Sequence, residues 1–317
     1  MMNNIRERKN TLVKLALTII LVVLALLGVD IEILIPNESP TVPEVQEVEG
    51  CLMVHMIDVG QGDSFLLVQD GKTALIDCGE TEEGRNVVEY IKSLGITKLD
   101  YVYGTHPHSD HMGGMFEVIT NFEIGKIVLP DLEDYKNTKG WYKKLRKELN
   151  TGAYDIEIEE VGTIYELGDA TMKVIGPINE PGDKPNNYST VLKVSLGEMD
   201  LIFTGDAEKE VEEDILASGE DTGAEILKVG HHGSNTSSTE EFLDAVNPDY
   251  ALIPNGNKYG HPIKSTMEKL EERNIEVYRT DENGTVICVV TSNNVTFSSE
   301  PGSYLSGDEA KARNRKW

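Results

Sequence analysis

The chain has 317 residues, 39% of them hydrophobic, which is enough for one large domain or two ordinary ones. Its formal net charge is −26 and its sequence pI is near 4.6. The hydrophobic fraction excludes a disordered chain, and the charge disfavours nucleic acid and anionic lipid as partners at long range, although a local basic patch could offset it. Cys51, Cys78 and Cys288 form no C-x-x-C pair and imply no disulfide framework.

In chain order, the first element is an apolar run. Arg6, Arg8, Lys9 and Lys14 precede the uncharged stretch Leu15 to Val29. A basic flank before an apolar run predicts a signal anchor over 1–30, or a signal peptide, with whatever follows lying outside the membrane. Bulky leucines around Leu26-Leu27-Gly28 favour an uncleaved anchor. Pro36, Pro40, Pro43 and the four glutamates between Pro36 and Gly50 make 31–50 an extended linker.

From Cys51 the pattern predicts strands over 52–59, 64–69 and 73–77, a helix over 83–94 and a strand over 99–103. Further strands are expected over 126–129, 164–167, 171–175, 190–196 and 200–204. Helices (208–218, 239–245, 263–273) then alternate with strands (225–229, 250–253, 276–278), and a hairpin closes 285–297. The segment 131–150 reads as a surface helix, and the polar tail 299–317 as disordered. Two halves of similar grammar, covering 51–298, predict an α/β sandwich of two sheets with helices outside.

The run His106-Pro107-His108-Ser109-Asp110-His111 holds three of the chain's seven histidines beside an aspartate, directly after a predicted strand. Imidazole and carboxylate together suit zinc, with manganese or iron as rivals. The turn can aim His106 and His108 at one metal, while Asp110 and His111 serve a second. Gly113-Gly114 lets the backbone pass close beside them. In Gly60-Gln61-Gly62-Asp63, Asp63 can approach the metals or cap a turn.

The run resembles the H-x-H-x-D-H signature of the metallo-β-lactamase fold superfamily. Further segments, H-M-I-D-V-G-Q-G-D-S at 55–64, N-N-Y-S-T-V-L at 186–192, F-T-G-D-A at 203–207, V-G-H-H-G-S at 229–234 and Y-G-H-P at 259–262, resemble the branch found in the hydrolase domain of the competence protein ComEC. The same branch is similar to phosphorylcholine esterases of some Gram-positive cell surfaces. The resemblance implies a four-layer αββα sandwich of the metallo-β-lactamase type holding one or two zinc ions, with manganese possible. It implies Asp206 as a bridging ligand, His261 as the last histidine ligand, and Asp77 as a residue that orients a histidine.

One position departs from the family pattern. No histidine lies between His111 and His231, and Asn186-Asn187-Tyr188-Ser189 stands where a third histidine motif is usual, so Asn187 is expected beside the ligands. His231 and His232 then either ligate metal or donate to the substrate and its leaving group, with Asp110 also counted in the catalytic set. The expected activity is hydrolysis of a phosphodiester, of nucleic acid or of the cell surface, or of another small ester; a β-lactam is the least expected substrate. A non-catalytic metal-binding module of a DNA-uptake or envelope assembly is the alternative.

Overall fold

The computed structural model describes residues 50–133 and 135–314. The expected anchor and nearly all of the expected linker lie outside them. Among the described residues, no helix is long and apolar enough to cross a membrane.

The strands follow closely the positions that the apolar runs mark. They are β1 (Leu52–Met56), β2 (Phe65–Gln69), β3 (Lys72–Ile76), β4 (Lys98–Tyr103), β5 (Glu123–Leu129), β6 (Ile156–Ile158), β7 (Ile164–Leu167), β8 (Ala170–Gly176), β9 (Val191–Leu196), β10 (Met199–Phe203), β11 (Ile226–Lys228), β12 (Tyr250–Ile253), β13 (Glu276–Arg279), β14 (Val286–Val290) and β15 (Val295–Phe297). Eight of them form one sheet in the order β15-β14-β1-β2-β3-β4-β5-β6, and seven the other, β13-β12-β11-β10-β9-β8-β7. Strand β6 joins the first sheet parallel to β5. The sequence pattern misses it because both its isoleucines face solvent.

Alternation along each strand divides the apolar side chains between two faces. Phe65, Ile76, Tyr103 and Val128 are register neighbours across β2 to β5, and they meet Leu192, Val194, Leu201, Phe203 and Leu252 of the second sheet in the central core. The outer face of the second sheet, with Ile202, Leu227, Ala251 and Ile253, is covered by helices α5 (Lys209–Ser218), α6 (Glu240–Val246) and α7 (Lys264–Glu272). Helix α1 (Gly84–Ser93) buries Val87, Val88 and Ile91, and α4 (Gly140–Leu149) buries Tyr142, Leu145 and Leu149. The short α2 (Ser109–Met112) and α3 (Met115–Ile119) follow β4, and α8 (Thr280–Asn283) follows β13.

The expectation of a disordered tail is corrected over 299–314. Arg279 is fully buried, and its guanidinium needs acceptors there. Asp281 supplies two at 2.8 Å, and the carbonyls of Ser303 and Leu305 supply others. Helix α9 (Gly307–Asn314) then lies against the loop of His261, where the Gly307 amide donates to the Pro262 carbonyl at 2.9 Å. A Cβ at Gly307 would come within 2.0 Å of the His261 carbonyl oxygen. Composition hides these acceptors, because they are backbone carbonyls.

Candidate metal centre

The site lies just beyond the C-terminal ends of strands from both sheets: Asp77 after β3, Thr105 and His106 after β4, Asp206 after β10, His231 and His232 after β11. This is where a layered α/β sheet leaves side chains free to converge. The loops are laced by backbone bonds: the Cys78 amide donates to the His111 carbonyl at 2.7 Å, and the Asp63 amide to the Asp110 carbonyl at 3.1 Å. Two glycines permit this closeness. A Cβ on Gly62, whose φ is +134°, would stand 2.1 Å from the Asp110 carbonyl oxygen, and one on Gly114 would stand 2.2 Å from that of Cys78.

Asp206 is at the centre. Its backbone amide donates to Ser189 Oγ at 2.9 Å, which fixes the loop, and its carboxylate divides two groups of nitrogen atoms. Oδ2 lies 3.7 Å from His106 Nε2 and 3.6 Å from His231 Nε2. His108 Nδ1 is in turn 3.1 Å from His106 Nε2, so His106, His108 and Asp206 form one ligand group. Oδ1 lies 3.2 Å from His111 Nε2 and 3.6 Å from His232 Nε2, and Asp110 Oδ2 is 3.5 Å from that same His232 atom.

Hydrogen bonds decide which nitrogen of each ring is free. His111 Nδ1 meets Asp77 Oδ2 at 2.7 Å, and Asp77 is held in turn by the Thr105 amide at 2.9 Å and the Thr105 hydroxyl at 2.6 Å. His232 Nδ1 meets the Pro254 carbonyl at 3.0 Å. Carboxylate and carbonyl only accept, so both rings carry a proton on Nδ1, and Nε2 is the nitrogen left for a metal once any proton there has been displaced. Asp63, His111 and His232 also stand close enough to form a ligand group. Asp63, however, lies on the Nδ1 side of both rings, 3.8 Å from His111 and 3.2 Å from His232, and its Oδ2 is ion-paired at 2.8 Å to Lys228. It therefore orients and balances the rings, while the free nitrogens face Asp206 and Asp110.

His111 Nε2, His232 Nε2 and Asp206 Oδ1 are buried and have no hydrogen-bond partner. Lone pairs facing a carboxylate oxygen at this range repel unless a proton or a metal ion lies between them. A tetrahedral zinc site with bonds of about 2.1 Å has ligand-to-ligand edges of roughly 3.4 Å, in line with the separations around Asp206. The donor set thus fits a borderline divalent metal on each side of that carboxylate.

The proton affinities follow from the same crowding. Burial opposes charge on His111, but Asp206, Asp63 and Asp77 outweigh it and hold the ring well above the ordinary histidine range. The same contest, with Asp206, Asp110 and Asp63, brings His232 up to about 9. Burial and then His111 push His106 well below its ordinary value. Burial would raise Asp206, yet His111 and His232 hold it well below the usual carboxylate range. A metal entering here displaces protons from His111 and His232.

The remaining expected residues take distinct places. His231 and His232 both have left-handed backbones, with φ of 49° and 54°, and this sends one ring inward and leaves the other partly open. The His231 side chain is 23% exposed, with Nδ1 3.1 Å from Thr236 Oγ1 and 3.4 Å from Asn186 Nδ2. Asn187 Oδ1 accepts from the Glu208 amide at 3.3 Å and so braces the start of α5 rather than facing the ligands. His261, expected as a ligand, belongs to neither group. Its ring flanks His231 and His232 with centroids 5.4 and 6.4 Å away, and burial, then His231, lowers it to about 4. Lys228 was missed: it is fully buried, 3.7 Å from Asp206 Oδ1, and donates to the Gly205 carbonyl. Its only signal was a charge at the end of an apolar strand.

Known proteins resemble the chain. The family model described as "Metallo-beta-lactamase superfamily" matches residues 57–256. ComE operon protein 3 of Bacillus subtilis is 33% identical over 274 residues, covering 78% of this chain and 34% of that protein. Competence protein ComA of Neisseria gonorrhoeae is 28% identical over 231 residues, covering 72% of this chain and 30% of that protein. The chain thus spans about a third of the length of these relatives. The solved structure of the metallo-beta-lactamase fold protein YhfI from Bacillus subtilis superposes with a TM-score of 0.50 at 13% identity, over 78% of this chain and all of that one, a likeness of fold alone. With the family model matching most of its length and competence proteins among its homologues, the chain belongs to the metallo-β-lactamase superfamily, in a ComEC-like branch.

Proposed function

We propose that the chain is a metal-dependent phosphodiesterase that works outside the membrane, held there by the apolar segment Leu15–Val29. The observation that carries the activity is the Asp206 carboxylate, with His106 and His231 nitrogens on its Oδ2 side and His111 and His232 nitrogens on its Oδ1 side. His106, His108 and Asp206 would hold one metal, and Asp110, His111, His232 and Asp206 the other. Zinc or manganese bound here would supply an activated water near neutral pH and a countercharge for a phosphoryl oxygen.

The chain's own residues do the rest. Asp77 and the Pro254 carbonyl fix the ring orientations of His111 and His232, so their free nitrogens need no rearrangement. Lys228 offsets the charge of Asp63 and Asp206 inside a buried cluster of carboxylates. His231, partly open and not pinned by a carboxylate, stands where it can donate to a phosphoryl oxygen or the leaving group. The names of the competence relatives favour nucleic acid over a cell-surface phosphodiester.

The test is metal analysis of the purified full-length chain, followed by turnover of bis-p-nitrophenyl phosphate. The expected result is about one to two zinc or manganese ions per chain, with hydrolysis lost on chelation and restored by either ion. A folded chain that takes up neither ion overturns the reading. A loaded but inert chain identifies a binding module instead.

A further inference from the structure

The acidic charge is not uniform. Between Tyr135 and Lys147 the sequence YKNTKGWYKKLRK holds Lys136, Lys139, Lys143, Lys144, Arg146 and Lys147 and no carboxylate. Lys144 is used locally: its ammonium lies 3.5 Å over the Phe116 ring and 3.2 Å from Glu117. Among the described residues, no carboxylate pairs with the other five. Lys136, Lys139, Lys143 and Lys147 are exposed.

This segment borders the metal centre. A pocket of about 330 Å³ is lined by His108, Pro107 and Ser109 on one side and by Tyr135, Lys136, Lys139 and Trp141 on the other. Its aromatic wall is braced from behind, since the Tyr135 ring lies 5.8 Å from Tyr142 and 5.6 Å from Tyr188, and the Trp141 ring 5.5 Å from Tyr142. The volume falls in the range of small-ligand sites, and one lining residue, His108, belongs to a ligand group.

We propose that this pocket binds one nucleotide of a single nucleic-acid strand, its base against Tyr135 and Trp141 and its flanking phosphates on Lys136 and Lys139. It rests on the phosphodiesterase reading, because the neighbouring phosphodiester of such a strand would then lie at His108. Stacking on aromatic side chains with cations tracking the backbone is the general chemistry of single-strand binding. The same two features weigh against cell-surface phosphodiesters. A polyol phosphate has no flat face to stack, and a quaternary ammonium, which aromatic rings would otherwise hold, is repelled by Lys136 and Lys139. Screening over about 8 Å at physiological ionic strength limits how far the rest of the acidic surface acts on the pocket.

The test uses the full-length, metal-loaded chain and a fluorescent phosphorothioate oligothymidylate of about 12 nucleotides, which resists cleavage. Affinity is read by anisotropy across a salt series, with bis-p-nitrophenyl phosphate turnover of the wild type measured in parallel. The double variant Lys136→Glu/Lys139→Glu should lose at least about tenfold in affinity and lower the salt slope by about 1.4, the loss of two single-strand phosphate contacts. Trp141→Ala should lose on the order of tenfold with the salt slope unchanged. Undiminished binding in the double variant, or displacement of the oligothymidylate by poly(glycerol phosphate) or phosphorylcholine at equal concentration, overturns the assignment. So does a wild type that hydrolyses the small diester but does not bind the strand. A wild type that binds through these residues yet turns over no diester upholds the pocket and fails the activity instead.

Discussion

Two loops bring histidines to the same carboxylate, and they are built differently. The loop after β4 anchors His111 through a carboxylate, Asp77, itself fixed twice by Thr105. The loop after β11 holds His232 Nδ1 against the neutral Pro254 carbonyl at 3.0 Å, with the Asp63 carboxylate at 3.2 Å beside it, and forces His231 and His232 into left-handed backbone to turn their rings apart. A charged anchor raises the basicity of the ring it holds, whereas a neutral one only orients it. Left-handed geometry costs on the order of 1–3 kcal/mol at each non-glycine residue and persists only where the surroundings over-determine it. The first loop is therefore held by charge and hydrogen bonding, while the second carries strain that its surroundings must hold in place.

The largest expected effect tests what the loops share. Asp206→Ala removes the group between them and should lower turnover of bis-p-nitrophenyl phosphate by on the order of a thousandfold or more. Near-normal turnover with full metal content in that variant would separate the two loops into independent sites.

The next effect tests the division inside the second loop. His232→Ala should lose bound metal together with activity. His231→Ala should keep its metal and lose on the order of a hundredfold in turnover, as expected for removal of a hydrogen bond to developing charge. Metal content and turnover measured on both variants decide it, and equal metal loss in the two would return His231 to the ligand set.

A smaller effect tests the charged anchor. Asp77→Asn keeps the shape but not the charge, and should weaken metal affinity by about 10- to 100-fold. Competition with a chelator reads this directly, and an unchanged affinity would make the two kinds of anchor equivalent.

The smallest effect separates the loops' titration from that of the sheet beneath them. His55 on β1 is buried, its Nδ1 lies 2.8 Å from the Tyr90 hydroxyl, and burial pushes the ring down to about 4. The folded state thus favours neutral His55. Its contribution is complete above the unfolded value of 6.5 and is lost as pH falls from there towards 4, by about 3 kcal/mol at most. Urea unfolding at several pH values, with chelator present, should show a shallower acid loss in His55→Gln than in the wild type. An identical slope would assign the acid sensitivity to the two loops alone.

Much of the fold was legible because apolar alternation marks strands, and β7 and β12 begin and end where the pattern says. The first loop was legible for a different reason: its ligands are contiguous, so spacing alone reveals them. The second loop's partners come from strand ends brought together only by folding. Pro254 contributes a carbonyl, which no side-chain motif records, and the shared Asp206 is itself held by a hydroxyl acceptor, Ser189, seventeen residues before it. Lys228 reads as a blemish on a strand until Asp63 is placed beside it. His261 followed the family's usual order, yet its ring flanks the pair instead of joining either group.

The wiring of Arg279 to the carbonyls of Ser303 and Leu305, and of Gly307 to Pro262, bears on how the molecule is made. Translation delivers the ligands of the first loop early, and at about 5–20 residues per second the stretch from Asp206 to Asn314 takes several seconds more. Until residues 303–307 have left the ribosome, the His261 turn is held by Asn255 and Gly233 but lacks the Gly307 contact, and Arg279 lacks two of its acceptors. The nascent chain can therefore assemble its first sheet around β1 to β5 well before its histidine-bearing second wall is locked. A stop codon placed after Phe297, where the apolar pattern ends, would yield a chain with all of its candidate ligands and a guanidinium left with Asp281 alone, its Nη1 without the two carbonyls that satisfy it.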